Sequence, residues 1–286
     1  MSVEAAITGR WDMAVHHPDG EFPSWFELHA DGTGQFVGQF GNARPFQGAI
    51  YKDGTLTFSL PKQYESRSDG MRFEGALEGS MLKGATTDGD GKEIQWSAER
   101  APALPYRDAH WGEPINLIQS DLSNWEPRSP NWEVNWSIQD GSLVNSKVGS
   151  DLILKDAYGD FKLVCEYKYP AGSNSGIYLR GRYEVQILDD FGKEPSWGSS
   201  AAIYGFLVPT VNAIHAPEEW NRIEIELIGR WVNVVLNGQT VIHNKEIPGI
   251  TGGALEANEG APGRLFLQGD HGPITFRKVE LTPAVN

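Results

Sequence analysis

Short runs of alternating apolar and polar residues, separated by two-residue turns, recur along almost the whole chain. Asp53-Gly54, Asp140-Gly141 and Asn237-Gly238 each lie between two such runs, and Asn237-Gly238 is the strongest hairpin signal among them. A period of two is typical of strands with one packed face, and no long stretch has the period of an amphipathic helix. The sequence therefore predicts an all-β protein.

The chain is long enough for two domains of moderate size, since it has 286 residues. Residues 5–100 contain six or seven short runs joined by tight turns, which predicts a β-meander that curls into a small barrel or sandwich. Residues 101–110 are interpreted as a linker, because their prolines cannot donate to a strand ladder. Residues 111–286 form the second predicted domain. No catalytic group is expected in the first domain, which we interpret as accessory.

Charge and hydropathy exclude two classes of partner. The formal net charge is −14, without an extended run of Lys or Arg, so no nucleic-acid partner is expected. No apolar run reaches about 18 residues, so no membrane partner is expected either. The opening MSVEAAITGR lacks a charged segment followed by an apolar one, which predicts a soluble protein, cytoplasmic unless an export signal was removed. The oligomeric state stays open.

Four residues are predicted to belong to the core. Cys165, the single cysteine, falls on the apolar side of an alternating run and is expected to be a small buried hydrophobe rather than a nucleophile. Trp125, Trp132 and Trp136 lie close together in the second domain, and burial is the expected state of all three.

The stretch 161–188 has the densest set of large polar side chains. If its strands paired as antiparallel neighbours, facing side chains would lie about 5 Å apart. The side chains brought together in this way would be Glu166, Arg180, Glu184 and Gln186. The Gly-rich loop beside them, which contains Asn174, favours a functional site. Polar residues are also usual on the solvated face of an antiparallel sheet, and this alternative stays open.

A connection of about thirty residues without a sustained period follows this stretch. Irregular connections of this length inside a compact domain are usually functional. Its notable side chains are Asp189, Asp190, Trp197, Tyr204 and His215. The adjacent aspartates are candidates for a divalent cation, although such a pair is more often a turn or a solvated pair. His215 is expected to form hydrogen bonds within the loop rather than to act as a base.

Two polar residues lie near the C-terminal end of the chain, where one predicted strand ends. Gln268 follows an alternating run, and His271 lies in a Gly-Asp-His-Gly turn directly after it. Strand ends of sandwiches often display functional groups, so a site is favoured here, although His271 could instead cap the turn.

Five segments between residues 112 and 282 resemble, in order, the motifs of one family. They are INLIQSDLSNWEPR, DFKLVCEYKYPAGSNSGIYLRG, YEVQILDD, EEWNRIEIELIGRWVNVVLNG and GRLFLQGDHGPITFRKVEL. The segments resemble those of the 3-keto-disaccharide hydrolases, also described as 3-keto-glucoside 1,2-lyase/hydratase domains. This resemblance implies a concanavalin-like jelly-roll sandwich that acts on sugars oxidised at carbon 3. Two departures, at 115–117 and 215–219, lie outside the central strands and concern loops rather than the reaction.

The implied reaction is the cleavage of a 3-keto-glycoside by elimination. A carbonyl at carbon 3 acidifies the proton on carbon 2, so a base can remove that proton and the glycosidic oxygen can leave carbon 1. Water added to the enone then completes a net hydrolysis. Under this resemblance Glu184, Glu166 or His271 would be base or acid, and Arg180 would hold the enolate. The residues assigned to substrate binding are Asn174, Gln186, Asp189, Trp197, Tyr204 and Gln268.

Three alternatives stay open. A carbohydrate-binding module without catalysis would need only the sandwich and the aromatic loop. An ordinary glycosidase would need Glu166 and Glu184 at about 5 Å or about 6.5–9.5 Å from each other. A metal-assisted version of the keto reaction would use a divalent cation as cofactor, with Asp189, Asp190 or His271 as ligands.

Overall fold

The computed structural model describes residues 5–63, 70–88 and 90–285 and has no α-helix within them. The all-β prediction is therefore confirmed. It follows that none of these residues belongs to a helix that could cross a membrane. Residues 1–4, on which the expectation about an export signal partly rests, and 64–69, within the predicted meander, lie outside the described residues.

The chain divides into two compact units. One consists of Met1–Ala103 together with Gly249–Gly260, and the other of Leu104–Pro248 together with Ala261–Asn286. The segment Gly249–Gly260 falls in the range predicted for the second domain, yet it groups with the first unit. There the Gly253 amide donates a hydrogen bond to the Gln39 carbonyl at 2.7 Å.

The first unit is a nine-stranded antiparallel meander in the order β4-β3-β2-β1-β9-β8-β7-β6-β5. Its strands are β1 Gly9–His17, β2 Gly20–Leu28, β3 Gly34–Val37, β4 Arg44–Phe46, β5 Ile50–Lys52, β6 Thr55–Leu60, β7 Met71–Glu78, β8 Met81–Thr87 and β9 Glu93–Arg100. The sheet curls around one core, in which the rings of Phe26, Phe58 and Phe73 touch with centroids 5.4 and 5.0 Å apart.

Strand β8 is one of the strands that the sequence pattern did not predict. Its inward side carries Gly84, opposite Gly75 on β7. A Cβ atom on either glycine would lie within 2.7 Å of the Trp96 ring, so both positions must stay small. Because position 84 must be glycine to leave space for the buried Trp96 ring, β8 lacks the alternation of apolar side chains from which a strand is predicted.

The second unit contains two sheets. Its strands are β10 His110–Trp111, β11 Ile115–Asn116, β12 Trp125–Pro127, β13 Trp136–Gln139, β14 Ser142–Asn145, β15 Leu152–Tyr158, β16 Phe161–Lys168, β17 Asn174–Leu179, β18 Tyr183–Leu188, β19 Asn221–Ile228, β20 Trp231–Leu236, β21 Gln239–Glu246, β22 Gly263–Leu267 and β23 Ile274–Val285. The larger sheet has the order β13-β14-β23-β16-β19-β20-β21, with β10 and β11 also paired to β23. The smaller sheet has five strands in the order β12-β15-β22-β17-β18. Together they form the predicted jelly-roll sandwich.

The predicted hairpin turns are confirmed. Asp53-Gly54 joins β5 to β6, Asp140-Gly141 joins β13 to β14, and Asn237-Gly238 joins β20 to β21. Both residues of each pair have positive φ, for example 50° and 78° at Asn237 and Gly238. Two consecutive positive φ values are the conformation of a type I′ turn, whose twist matches that of the flanking strands.

Most of the predicted core residues are buried. Cys165 is fully buried, and burial raises the pKa of its thiol, so it is not a nucleophile. Trp125 and Trp136 are each 4% exposed, as expected. The prediction for Trp132 is wrong, since this side chain is 56% exposed. Trp132 lies in a turn closed by its amide to the Ser129 carbonyl, outside any strand.

The predicted pairing within the stretch 161–188 is confirmed for β17 with β18 but is wrong for β16. Strand β16 pairs with β19 and β23 in the larger sheet, whereas β17 and β18 pair with each other in the smaller one. The Gly-rich loop between β16 and β17 therefore carries the chain from one sheet to the other. Glu166 and Glu184 consequently lie on different sheets.

Candidate active site

One face of the five-stranded sheet carries the candidate site. The register places Tyr178 opposite Glu184 and Gly176 opposite Gln186, with Phe266 opposite Tyr178 on its other side. Paired residues point to the same face of a sheet, so these side chains are neighbours. The alternate residues of β17 and β18 are buried against the sandwich core, and all of them except Ser175 are hydrophobic.

The long loop after β18 extends this sheet at its edge. Ile203 forms an antiparallel bridge with Val185, and the Tyr204 amide donates to the Glu184 carbonyl at 3.0 Å. This register places Tyr204 beside Glu184 on the site face. The Tyr204 ring makes an edge contact with Trp197 at 5.5 Å between centroids, and Trp197 is 45% exposed. Of the predicted substrate-binding residues, Tyr204 thus lies next to Glu184, and Trp197 contacts Tyr204.

Glu184 is the central acid of this face. Its side chain is buried, and the Tyr178 hydroxyl donates to Oε2 at 2.9 Å. Burial raises the pKa of Glu184 to about 8; Tyr178 and His271 oppose the shift, whereas Asp270 and Asp151 add to it. The carboxyl group therefore keeps its proton at neutral pH.

Gly176 makes room for this carboxyl group. A Cβ atom at position 176 would lie 2.6 Å from Oε1 of Glu184. Glu184 therefore reaches across the neighbouring strand only because the position diagonal to it, two residues before Tyr178, has no side chain.

A loop after β22 carries a histidine whose charge acts on Glu184. His271 Nδ1 forms a short contact with Asp270 Oδ1, which raises the pKa of His271 despite partial burial. With Nδ1 directed at Asp270, Nε2 is the nitrogen available for proton transfer. The loop is held because the amides of Gly269 and Asp270 donate to Asp151 Oδ1 at 2.9 and 3.3 Å.

An arginine lies on the same face beyond this loop. Arg128 Nη1 contacts Asp151 Oδ2 at 3.2 Å, and its guanidinium lies 5.3 Å from the centroid of the Phe266 ring. The Phe266 ring stacks on Tyr178 with centroids 3.9 Å apart. Burial, followed by the charge of Asp270, raises the pKa of Asp151. A row of contacting side chains thus runs across the sheet from Arg128 to Glu184.

Four of these residues were not among the sequence candidates. Tyr178 and Asp270 had a local signal, since Tyr178 lies on the polar side of a predicted strand and Asp270 precedes His271. Arg128 and Asp151 had none, because Arg128 directly follows β12 and Asp151 directly precedes β15, and only the sheet register brings these strands to the site.

Two predicted amides have acceptor atoms available within the site. The side-chain oxygens of Asn174 and Gln268 are buried and have no hydrogen-bond partner among the residues that the structure describes. Gln186 differs, since its Oε1 accepts a hydrogen bond from the Ile187 amide at 3.1 Å. Buried acceptors without a partner are suited to the hydroxyl groups of a ligand.

The structure places Arg180 elsewhere. Its Nη2 donates to the Gly229 carbonyl at 2.5 Å and to the Tyr183 hydroxyl at 3.3 Å. Tyr183 precedes Glu184 in the strand, and consecutive residues point to opposite faces. The expectation that Arg180 and Glu184 share a site is therefore wrong.

Glu166 is also remote from the site. It forms ion pairs with Arg277 at 2.7 Å and Arg222 at 3.0 Å on the outer face of the larger sheet. Hydrogen bonds from these arginines, led by Arg277, lower the pKa of Glu166. Glu166 therefore belongs to a charged surface, and the predicted pair of catalytic carboxylates is not formed.

The predicted metal ligands are engaged in loop contacts. Asp189 Oδ2 accepts from the Gly172 amide at 2.7 Å, and Asp190 Oδ2 accepts from the Ser200 amide at 3.0 Å. Across 5–63, 70–88 and 90–285, no three His, Cys, Asp or Glu side chains are grouped to hold a metal ion. His215 bonds within the loop as expected, through Nδ1 to the Trp220 carbonyl at 3.0 Å.

Taken together, the fold and this face define a jelly-roll sandwich protein with an acid, a histidine and open amide acceptors on its smaller sheet. Comparison with known protein families identifies the family of this chain. The sequence profile of the family described as "3-keto-alpha-glucoside-1,2-lyase-like domain" matches residues 113–282, and the chain belongs to this family. The description of this family points to a carbohydrate-active function.

A solved structure agrees with the fold. A protein from Parabacteroides distasonis ATCC 8503, described as a candidate glycosyl hydrolase, is 20% identical with a TM-score of 0.50, covering 60% of this chain and 94% of its own. A second such protein from that organism is 25% identical with a TM-score of 0.49, covering 64% and 93%. No curated protein matches the chain.

Proposed function

We propose that the protein cleaves 3-keto-glycosides by elimination and hydrates the resulting 2-hydroxy-3-keto-glucal in a second step. The family membership supports a 3-keto sugar as substrate. The observation that carries the proposal is the buried carboxyl group of Glu184, which keeps its proton at neutral pH and lies beside His271. An acid and a base that act on adjacent carbons are what this elimination needs.

His271 and Glu184 divide the proton transfers between them. Nε2 of neutral His271 takes the proton from carbon 2, and the electrons of that C–H bond form an enolate with the carbonyl at carbon 3. The enolate then re-forms the carbonyl, a double bond forms between carbons 1 and 2, and the bond from carbon 1 to the glycosidic oxygen breaks. Glu184 gives its proton to this leaving oxygen. Addition of water across the new double bond restores a 3-keto sugar.

The remaining polar groups of this face hold the sugar. Asn174 and Gln268 provide buried acceptor oxygens for hydroxyl groups. Tyr204 and the exposed ring of Trp197 lie at the Glu184 end of the face. Because Glu184 protonates the leaving oxygen, this end of the face takes the aglycone.

Product analysis by NMR in deuterated water tests the proposal. A 3-keto-glucoside and its unoxidised parent are offered side by side to the full chain. We expect cleavage of the keto sugar alone, with deuterium at carbon 2 of the product. Cleavage of the unoxidised parent would contradict the elimination, and turnover of neither sugar would leave a carbohydrate-binding module as the function.

A further inference from the structure

We propose that Arg128 is the residue that binds the carbonyl oxygen at carbon 3 and stabilises its negative charge in the enolate. This inference rests on the proposed elimination and adds to it a residue that the family match does not assign. Arg180, which the sequence had suggested for this task, bonds Gly229 and Tyr183 instead.

The sheet register places Arg128 on the correct face. Glu126 is opposite Ile153, and Ile153 is opposite Phe266, so these side chains share the face that carries Tyr178 and Glu184. Arg128 lies two residues beyond Glu126, which keeps it on this side. The contact of its guanidinium with the Phe266 ring agrees with this placement.

The spacing fits one sugar ring. Glu184, Tyr178 and Phe266 lie on three adjacent strands, which are about 4.8 Å apart. Arg128 lies over Phe266, at the opposite end of the row from Glu184. Carbons 1 and 3 flank carbon 2 in the sugar, so a ring above this row can direct its glycosidic oxygen to Glu184 and its carbonyl to Arg128.

Asp151 holds Arg128 in place and connects it to the base. One carboxylate oxygen of Asp151 contacts Arg128, and the other accepts from the amides of Gly269 and Asp270. The loop that carries His271 is therefore tied to the arginine through one buried side chain. The base and the charge-stabilising group are thus set at a fixed separation, as a concerted proton abstraction requires.

The charge of Arg128 reaches the centre of the site. Burial and the neighbouring Glu184 raise the pKa of Tyr178 well above its ordinary value, and Arg128 acts against them. The Arg128 side chain is also partly accessible, since 29% of it is exposed. Its positive charge therefore acts on the polar centre of this face from a position that a ligand can reach.

In the first step, the base takes the proton from carbon 2. The C–H electron pair becomes the double bond between carbons 2 and 3, and the carbonyl pair moves onto the oxygen at carbon 3. Arg128 donates hydrogen bonds to this oxygen, and the charge is released when the carbonyl re-forms and the glycosidic bond breaks. A guanidinium that meets this charge lowers the barrier by the preorganised electrostatic effect of an oxyanion site.

Hydrogen–deuterium exchange at carbon 2 isolates this step. The probe is 3-keto-1,5-anhydroglucitol, which has the carbonyl at carbon 3 and no aglycone at carbon 1, so exchange is followed by NMR without cleavage. We expect exchange by the unaltered protein and a loss of about 10²–10³-fold in Arg128→Gln. Arg128→Lys should lie between them, and guanidinium ion should partly restore exchange in Arg128→Ala.

Arg264 provides the matched control. It lies on the same sheet face in an ion pair with Glu126 at 2.5 Å, so Arg264→Gln removes a charge near the site without removing Arg128. Arg264→Gln is expected to exchange within about threefold of the unaltered protein.

The outcomes separate the two proposals. Absence of exchange with the unaltered protein would overturn the elimination itself, and the role of Arg128 with it. Exchange by the unaltered protein and by folded Arg128→Gln at similar rates would overturn only the role of Arg128. If Arg128→Gln does not fold, Arg128→Lys decides: equal loss in Lys and Ala variants, without guanidinium rescue, would mean a structural role.

Discussion

The outer faces of the two sheets carry similar residues in a similar alternation, but their environments differ. On β16, Glu166 lies between Arg222 and Arg277, whose side chains are 43% and 46% exposed. On β18, Glu184 is 4% exposed and bonds Tyr178. Arginine contacts lower the pKa of Glu166, whereas burial raises the pKa of Glu184 to about 8. Glu166 is thus an ionised surface group, whereas Glu184 is a protonated acid.

The neighbouring elements cause this difference. Strand β16 lies between β19 and β23, which bring arginines alongside Glu166. Strand β18 has the long loop on its free edge, which adds Tyr204 next to Glu184. Exposed ion pairs contribute at most about 1 kcal/mol to stability, so the ion pairs of Glu166 add little to the free energy of unfolding. On the second face Glu184 is buried, and this burial raises the pKa of its carboxyl group.

Replacing one carboxyl group on each sheet tests this comparison directly. Glu184→Gln removes the proton donor and is expected to lower kcat on a 3-keto-glucoside by about 10²–10⁴-fold. Glu166→Gln is the matched control and should stay within about twofold, because its ion pairs are exposed. Steady-state kinetics with thermal unfolding of both variants measures the effect. An equal loss of activity in both would mean that the two faces do not differ in function.

The pH dependence of kcat/KM tests the role of His271 on the face that carries Glu184. His271 must be neutral to accept a proton, so the acid limb of kcat/KM follows its pKa, which Asp270 raises. Asp270→Asn removes this charge, so the pKa of His271 falls and the acid limb moves to lower pH. Loss of the Nδ1 contact should also lower the maximum rate by about 10–100-fold. An unmoved acid limb would exclude His271 as the base.

Local patterns predict the strands and turns better than they predict the site. The alternation of Phe161, Leu163 and Cys165 was enough to identify the buried side of β16, and Asn237-Gly238 was enough to place a hairpin. These features depend on residues that are close in the sequence. The choice of the sheet that the next strand joins does not depend on such residues. A Gly-rich loop can return the chain beside β16 or carry it to the other sheet.

The site depends on such long-range choices. Arg128 and Asp151 share a sheet face with Glu184 only because the strands have the order β12-β15-β22-β17-β18. No residue close to them in the sequence predicts that order. Strand β18 also lacks a burial alternation, because Tyr183 through Ile187 are all buried. The sequence therefore identified Glu184 and His271 as candidates, but it could not separate them from Glu166 and Arg180.

The hydrogen bond from Tyr178 offers a smaller test of the buried acid. This bond lowers the pKa of Glu184 against the effect of burial. Tyr178→Phe removes it, so the pKa should rise above about 8 and the alkaline limb of kcat/KM should move to higher pH. The maximum rate should fall by about three- to tenfold, since one hydrogen bond to the acid is lost. A shift of the acid limb to higher pH, with the alkaline limb unmoved, would mean that Glu184 acts as the ionised base.

An aromatic residue beside each sheet provides the last comparison. Trp197 contacts Tyr204 at the Glu184 end of the site and is partly exposed, so its ring is expected to pack on the aglycone. Trp197→Ala should raise KM by about fivefold, the equivalent of about 1 kcal/mol for one aromatic contact, without a matching change in kcat. Trp220, which lies under Arg277 beside the larger sheet, is the control. Equal KM changes in Trp197→Ala and Trp220→Ala would place the aglycone away from Trp197, because only Trp197 contacts Tyr204, the neighbour of Glu184.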